Sequence, residues 1–354
     1  MTLIVRVDPS NLDSSIIKQI AKILRSGGIV AFPTETVYGL GAVVFNENAV
    51  RKIFVAKNRP LDNPLIIHIS DLEMLDLVAV DVPEKAFKLI EKFWPGPLTL
   101  ILPRNPRVPG IVSGGLHTIA VRMPAHPVAL ALIRETGEPI AAPSANLAGK
   151  PSPTTAEHVI QDLYNRVDVV VDGGETLYGV ESTIINILSD PPTLLRPGAY
   201  PIEEVERVLG EKIIIPDYAR GLEEALTALA PGMRYRHYAP ETPLILIDPV
   251  SRDLRLLVEK TLSTIREHYN TYSKICVVAC RETASLYKHI KKVHVIEIGS
   301  RGNIFEIAKK LYKVLRTLDM LKCDIGIIEG FEDRGLGLAV MNRLRKASCK
   351  RILA

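Results

Sequence analysis

Two short spacings stand out among the residues able to do chemistry. Lys57 and Arg59 form a K-x-R pair where an apolar helical stretch passes into a segment stiffened by Pro60 and Pro64. Fixed cations suit polyphosphate, lysine as a point charge and arginine as a planar fork. Ser144 and Asn146 form an S-x-N pair, and strand alternation puts both on one face with Ala142, a row of small or hydrogen-bonding groups. Pro143 inside that run removes a ladder donor, so the segment reads as an edge, a bulge or a ligand-lining strand. Arg122 shares a face with Thr118 and Ala120, opposite the apolar row Ile119, Val121 and Met123, and a cation so placed needs an anion or water. His68 interrupts an apolar run on the face of Ile66 and Ser70. Thr34 and Thr36 end a strand that runs into Gly39 and Gly41, while Ser182 and Arg196 lie near Gly179 and Gly198. Taken singly, each also fits a structural role: strand threonines, a helix end with Lys57 and Arg59 against its last carbonyls, a satisfied core histidine.

A sheet has to hold these groups. Apolar runs and alternation predict strands over 29–36, 64–70, 97–104, 119–125, 140–146, 167–174, 181–188 and 193–196. Helical periodicity predicts helices over 12–25, 48–56, 82–93, 126–136, 154–164 and 201–209. The class is α/β or α+β with a twisted mixed sheet. Residues 216–243 carry scattered charge and two Ala-Pro steps, the pattern of an interdomain linker. Beyond them strands at 244–247, 275–279, 293–298 and 325–329 alternate with helices at 253–268, 282–290, 304–321 and 338–347. Strict βα alternation predicts a small parallel sheet covered by helices. The expected division is 1–212, a linker or lid at 213–242, and 243–354.

A chain of 354 residues fits two or three domains, and 47% hydrophobic with 24% charged residues excludes a disordered or fibrous protein. The balance of 44 Lys+Arg against 40 Asp+Glu is too dilute to point to nucleic acid or a membrane surface. Cysteines occur at 276, 280, 323 and 349 alone, which argues against a secreted disulfide framework; Cys276 and Cys280, four apart in one apolar strand, read as core thiols. No apolar stretch approaches the ~18 residues of a membrane span, and the amino end lacks a signal-peptide core, so a soluble cytoplasmic protein is expected. P-loop, zincin, α/β-hydrolase and paired C-x-x-C signatures are missing. Gly335-Leu336-Gly337 follows a strand and opens a helix, but Val340 stands at the third-glycine position, so a tight turn is expected there.

In order along the chain, FPTETVYGLG (32–41), K-x-R, FWPGPLT (93–99), APSAN (142–146), ESTI (181–184) and RPG (196–198) resemble the YrdC-like threonylcarbamoyl-AMP synthases over roughly residues 10–210. Residues 231–240 followed by the βα alternation are similar to the long form of that family. The resemblance implies an α/β fold: a YrdC-like domain with a large twisted mixed sheet flanked by helices, plus a smaller Rossmann-like parallel α/β domain. It further implies activation of L-threonine with bicarbonate or CO2 and ATP, giving threonylcarbamoyl-adenylate and pyrophosphate, for N6-threonylcarbamoyladenosine at position 37 of tRNA. ATP is then expected at Lys57, Arg59, Asn63, Thr118, Ser144, Asn146, Ser152, Arg196 and Tyr235, with Lys57, Arg59, Ser144 and Asn146 as the catalytic group. L-Threonine is expected at Thr36, His68, Arg122, Ala142 and Ser182. Mg2+ is expected on phosphates and water rather than on a protein carboxylate cluster. Segment 231–240 is expected to fold over the nucleotide as a lid. A tRNA threonylcarbamoyl transferase is the expected downstream partner, with tRNA contacted indirectly and no membrane.

Two rivals follow from the same residues. A carbamoyl-adenylate enzyme of the hydrogenase-maturation type would bring zinc-finger cysteines upstream, and none precedes Cys276. A non-catalytic double-stranded-RNA binder would need a coherent basic stripe, whereas cations here are interleaved with acids.

Overall fold

The structure is a computed structural model of the chain and describes residues 1–225, 229–233 and 238–354. Tyr235, and with it the middle of the expected lid, lies outside the described residues. The chain divides into two compact units. One takes in 1–148, 152–219 and the described residues of 223–235; the other takes in 149–151, 220–222 and the described residues of 236–354.

Strands of the first unit are β1 (Leu3–Arg6), β2 (Val30–Phe32), β3 (Gly39–Val43), β4 (Ile66–His68), β5 (Leu98–Pro103), β6 (Thr118–Arg122), β7 (Ile140–Ala141), β8 (Val169–Asp172), β9 (Thr183–Asn186) and β10 (Thr193–Arg196). Among the described residues they make one ten-stranded sheet in the order β1-β8-β2-β3-β7-β4-β6-β5-β9-β10. Pairing is mixed: β4 with β6 and β5 with β9 are parallel, β4 with β7 and β5 with β6 antiparallel. β1 and β3 were not expected. β3 reads Gly-Leu-Gly-Ala-Val, and its glycines suggest bends, yet a Cβ at Gly41 would meet Ile140 Cγ2 and Phe32 Cε1 at 2.6 Å. Close strand packing, not a turn, sets that glycine. The expected strand over 140–146 stops at Ala141, because Pro143 cannot donate and the backbone turns to other partners: Leu40 N donates to Pro143 O and Ala145 N to Tyr38 O, each at 2.8 Å.

Helix Glu47–Lys57 delivers the K-x-R pair. Asn46 caps its start by accepting from Ala49 N, and Asn58 in the left-handed region (φ 52°) ends it, so Lys57 occupies the last helical position and Arg59 the exit.

The second unit has β11 (Leu244–Asp248), β12 (Ile275–Cys280), β13 (Val293–Gly299), β14 (Ile325–Glu329) and β15 (Lys350–Leu353), in the order β13-β12-β14-β11-β15 and parallel throughout. β15 was not expected: its four residues are mostly exposed and follow a helix directly. The expected helix over 282–290 shrinks to Arg281–Ala284. One correction concerns the cysteines: Cys276 is bonded to Cys323 as a disulfide, with Cα atoms 5.9 Å apart, while Cys280 is a buried free thiol. Sequence spacing compared Cys276 only with its strand neighbour, whereas the parallel register puts β14, and the approach to it, beside β12. Gly335 is a turn residue (φ 56°) immediately before helix Leu336–Ala347. No helix of the described residues is long and apolar enough to cross a membrane.

Candidate active site

Alternation along three neighbouring strands builds the site. His68 ends β4 directly opposite Arg122, which ends β6, and one step beyond the β5–β6 pairs lies Thr99. His68, Arg122 and Thr99 therefore share a face with Ile66, Ala120 and Ile101. The apolar part of that face is covered by Tyr218, Ala225, Leu229, Ala230 and Met233. The polar part is left to its own side chains, and nearly every one is buried: Thr36, His68, Thr99, Arg122, Ser182 and Arg196 are at most 5% exposed.

Arg122 is the centre of this cluster. Its Nε donates to Gly96 O at 3.2 Å and its Nη1 to Thr36 Oγ1 at 2.9 Å. Nη2 lies 2.5 Å from Glu35 Oε1, a buried ion pair that sequence reasoning missed. Neither Glu35 oxygen has a hydrogen-bond partner, nor does Arg122 Nη2, so the pair is close in charge and unsatisfied in geometry. Glu35 was overlooked because 29–36 was read as strand, which would turn Glu35 away from Thr34 and Thr36. The segment is a turn in which Thr34 Oγ1 donates to Val37 O at 2.6 Å and bonds Thr36 Oγ1 at 2.8 Å, so alternation does not apply. Beside Arg122, His68 Nδ1 meets Ile66 O at 3.2 Å. Burial, then the Arg122 charge, pushes its pKa down to about 3, so His68 is a neutral imidazole. The Ala142 amide reaches the same strand, donating to Ile66 O at 2.9 Å.

A second group surrounds Ser182. Its hydroxyl bonds Thr99 Oγ1 at 2.7 Å, and Arg196 Nη2 donates to Ser182 O at 3.0 Å and to its Oγ at 3.2 Å. Arg196 Nη1 also reaches Pro231 O at 3.4 Å, so the first described residues of 231–240 lie beside this cation. Ser152 Oγ donates to Glu181 Oε1 at 2.6 Å.

Third, the S-x-N loop is tied to the K-x-R helix. Lys57, 1% exposed, donates from Nζ to Ser144 O and Asn146 O, each at 2.5 Å, and Ser144 Oγ donates to Asn146 Oδ1 at 2.5 Å. Burial, then the Arg59 charge, holds the Lys57 pKa well below the ordinary lysine value. Arg59 folds back on its own loop, Nε to Asn63 O at 3.2 Å and Nη2 to Pro64 O at 2.9 Å. Asn63 is 2% exposed with its Oδ1 lacking a partner. Thr118 is half-buried at the opposite end of β6 from Arg122, in register with Pro103. No group of three metal-ligating side chains occurs among the described residues.

Such a set can bind rather than react covalently: forked cations, small hydroxyls and a neutral imidazole on a dry face suit a carboxylate, an amino group and phosphates. Comparison with known proteins agrees with that chemistry. A family model described as "Telomere recombination", that of the Sua5, YciO and YrdC proteins, matches residues 22–198, and one described as "Threonylcarbamoyl-AMP synthase, C-terminal domain" matches residues 200–349. The chain is 47% identical to a threonylcarbamoyl-AMP synthase of Pyrococcus abyssi, over 100% of this chain and 99% of the relative. It is 46% identical to that of Bacillus subtilis, over 95% and 94%. The crystal structure of Pyrococcus abyssi Sua5 complexed with L-threonine matches with a TM-score of 0.90 at 47% identity and full coverage (100%) of both chains. With both family models matched in order and relatives aligned along the whole chain, this protein belongs to the threonylcarbamoyl-AMP synthase family.

Proposed function

We infer that the chain makes L-threonylcarbamoyl-AMP from L-threonine, bicarbonate or CO2, and ATP, releasing pyrophosphate. The product serves N6-threonylcarbamoyladenosine formation at position 37 of tRNA. The observation that carries this reading is full-length identity to synthases, joined to a buried polar face whose donors suit the substrates. It favours the synthase over a carbamoyl-phosphate-using enzyme or a non-catalytic RNA binder.

Threonine is assigned to the face of His68 and Arg122. The guanidinium of Arg122 takes the carboxylate, and Thr36, neutral His68, Ser182 and the Ala142 backbone take the hydroxyl and amino group. ATP is assigned to Lys57, Arg59, Asn63, Thr118, Ser144, Asn146, Ser152 and Arg196, with Lys57, Arg59, Ser144 and Asn146 nearest the reacting phosphate. In the step, the threonine amino nitrogen bonds to CO2 and gives up a proton, an oxygen of the resulting carbamate attacks the α-phosphorus, the bond from that phosphorus to the bridging oxygen breaks, and pyrophosphate leaves with the electron pair. Two anions have to meet in line, so catalysis rests on orientation and charge neutralisation, with no side chain covalently attached. Mg2+ suits the phosphates and water, since the donors around them are cations and neutral groups; it would neutralise charge on the leaving pyrophosphate.

Residues 1–212 are assigned the chemistry, 213–242 the role of linker and lid, and 243–354 a separate Rossmann-like domain. Support for the lid comes from Met233 buried on the strand face and Pro231 O held by Arg196. A lid excludes water from a hydrolysable mixed anhydride. The labile product then passes to a tRNA threonylcarbamoyl transferase in the cytoplasm, with tRNA contacted indirectly.

The test is pyrophosphate release from ATP with L-threonine and bicarbonate, against controls with serine and without amino acid. Threonine-dependent release is expected; release that ignores threonine overturns the assignment.

A further inference from the structure

The second unit contains a crevice that the synthase chemistry leaves without a task. Its parallel strands run β13-β12-β14-β11-β15, and the crossovers reverse: β12 to β13 goes toward one edge of the sheet, β14 to β15 toward the other. Where crossovers change direction, an open parallel sheet leaves a crevice beyond the carboxyl ends of its strands, and ligands bind there. Here it is a cavity of about 330 Å³, walled by the loops after β11, β13 and β14 and by the first turns of helices Leu254–His268, Ile304–Met320 and Leu336–Ala347.

One cation is fixed at this cavity from beneath. Glu329 ends β14 with 1% exposure and accepts from Thr283 Oγ1 and Tyr287 Oη, each at 2.7 Å. That anchored carboxylate also takes Arg301 Nη2 at 3.4 Å, while Arg301 Nη1 donates to Gly330 O at 3.0 Å and the guanidinium lies 5.0 Å over the Phe331 ring. The Nε of Arg301 is buried and has no hydrogen-bond partner. Arg334 lines the same cavity with an exposed side chain and makes no ion pair among the described residues. The acids on the rim are already engaged: Glu332 with Arg252 at 3.0 Å, and Asp253 as a helix cap accepting from Arg255 N at 2.8 Å. A Cβ at Gly337 would lie 2.2 Å from Glu332 O, so glycine alone lets the helix start approach this loop so closely.

We propose that this crevice binds a phosphorylated small molecule of nucleoside-monophosphate size. Its phosphoryl group sits against Arg301, Arg334 and the start of helix Leu336–Ala347, which has no side-chain cap, and its apolar part against Leu254, Ile304 and Phe331. Helix N-termini and forked cations both favour phosphate, and the volume is at the lower end of small-molecule sites, ~300–1,000 Å³.

The test is hydrogen–deuterium exchange on the full chain at millimolar AMP and, separately, millimolar inorganic phosphate. Readout is local, at segments 249–257, 300–306 and 331–338, so nucleotide binding elsewhere does not enter it. Slowed exchange at these segments is expected, and Arg334→Glu is expected to weaken half-saturation about tenfold or more by replacing a charge-assisted contact with a repulsive one. Arg301→Ala should lose the effect; if that variant fails to fold, Arg334→Glu decides alone. Equal protection by phosphate and AMP identifies free phosphate as sufficient, and protection by AMP alone identifies a nucleotide. No slowing with either ligand, or slowing that Arg334→Glu leaves untouched, overturns the proposal.

Discussion

Glu35 and Arg122 meet at 2.5 Å in the interior, charge against charge, without hydrogen-bond geometry between them. A buried pair repays its desolvation only when the remaining lone pairs and protons are satisfied, and here they are not. In the proposed function the guanidinium of this pair takes the carboxylate of threonine. Arg122→Ala should therefore weaken threonine binding and, by stranding Glu35, cost about 3–5 kcal/mol of stability. Adding Glu35→Gln should recover much of the stability and none of the affinity. Thermal unfolding beside threonine titration separates the two effects; a double variant no more stable than Arg122→Ala would show that the pair is not the source of the loss.

The proposed function gives the two arginines different substrates. Arg59→Ala should raise the ATP concentration for half-maximal rate by about tenfold, one lost charge-assisted contact, with threonine dependence little changed; Arg122→Ala should do the reverse. Steady-state kinetics with each substrate varied in turn checks this. Equal losses for both substrates in both variants would refute the division.

His68 bears on acid stability. Its pKa falls from 6.5 to about 3 on folding, so the unfolded chain binds the proton more readily. Stability contributed by the neutral, buried ring is present above 6.5 and declines by up to about 1.4 kcal/mol per pH unit as pH falls from 6.5 toward 3. Urea unfolding at pH 7 and pH 5 should show a smaller acid loss for His68→Asn than for the parent chain. Identical losses would mean the ring is protonated in the folded state at pH 5.

The Cys276–Cys323 bond closes a loop of 47 residues. Chain-entropy reasoning assigns such a loop about 4 kcal/mol. Cys323→Ser, or reductant, should lower the unfolding temperature of the second unit and leave threonine-dependent pyrophosphate release at moderate temperature intact. An unchanged unfolding temperature would count against the bond as a stabilising element.

Much of this architecture can be read from the residues, and the failures have physical causes. Alternation located β4, β6 and β10 and put His68 with Ile66 and Arg122 with Ala120, because β4 and β6 keep an unbroken ladder register through those residues. Alternation misled at 33–36 and 143–146, where Thr34 side-chain bonding and Pro143 replace ladder pairing. Glu35 fell in the first gap. Long-range facts such as Lys57 reaching the carbonyls of Ser144 and Asn146 are tertiary, across 87 and 89 positions. Motif order hinted that those residues belong together, but no local spacing could give the contact.

That lysine makes substrate capture a matter of acid–base accounting as well as fit. Burial disfavours the charge of that ammonium and phosphates would favour it, so ATP binding should move the Lys57 pKa back up toward the ordinary lysine value. A shift of that sign makes ATP affinity weaken as pH rises, which ATP titrations at a series of pH values would show.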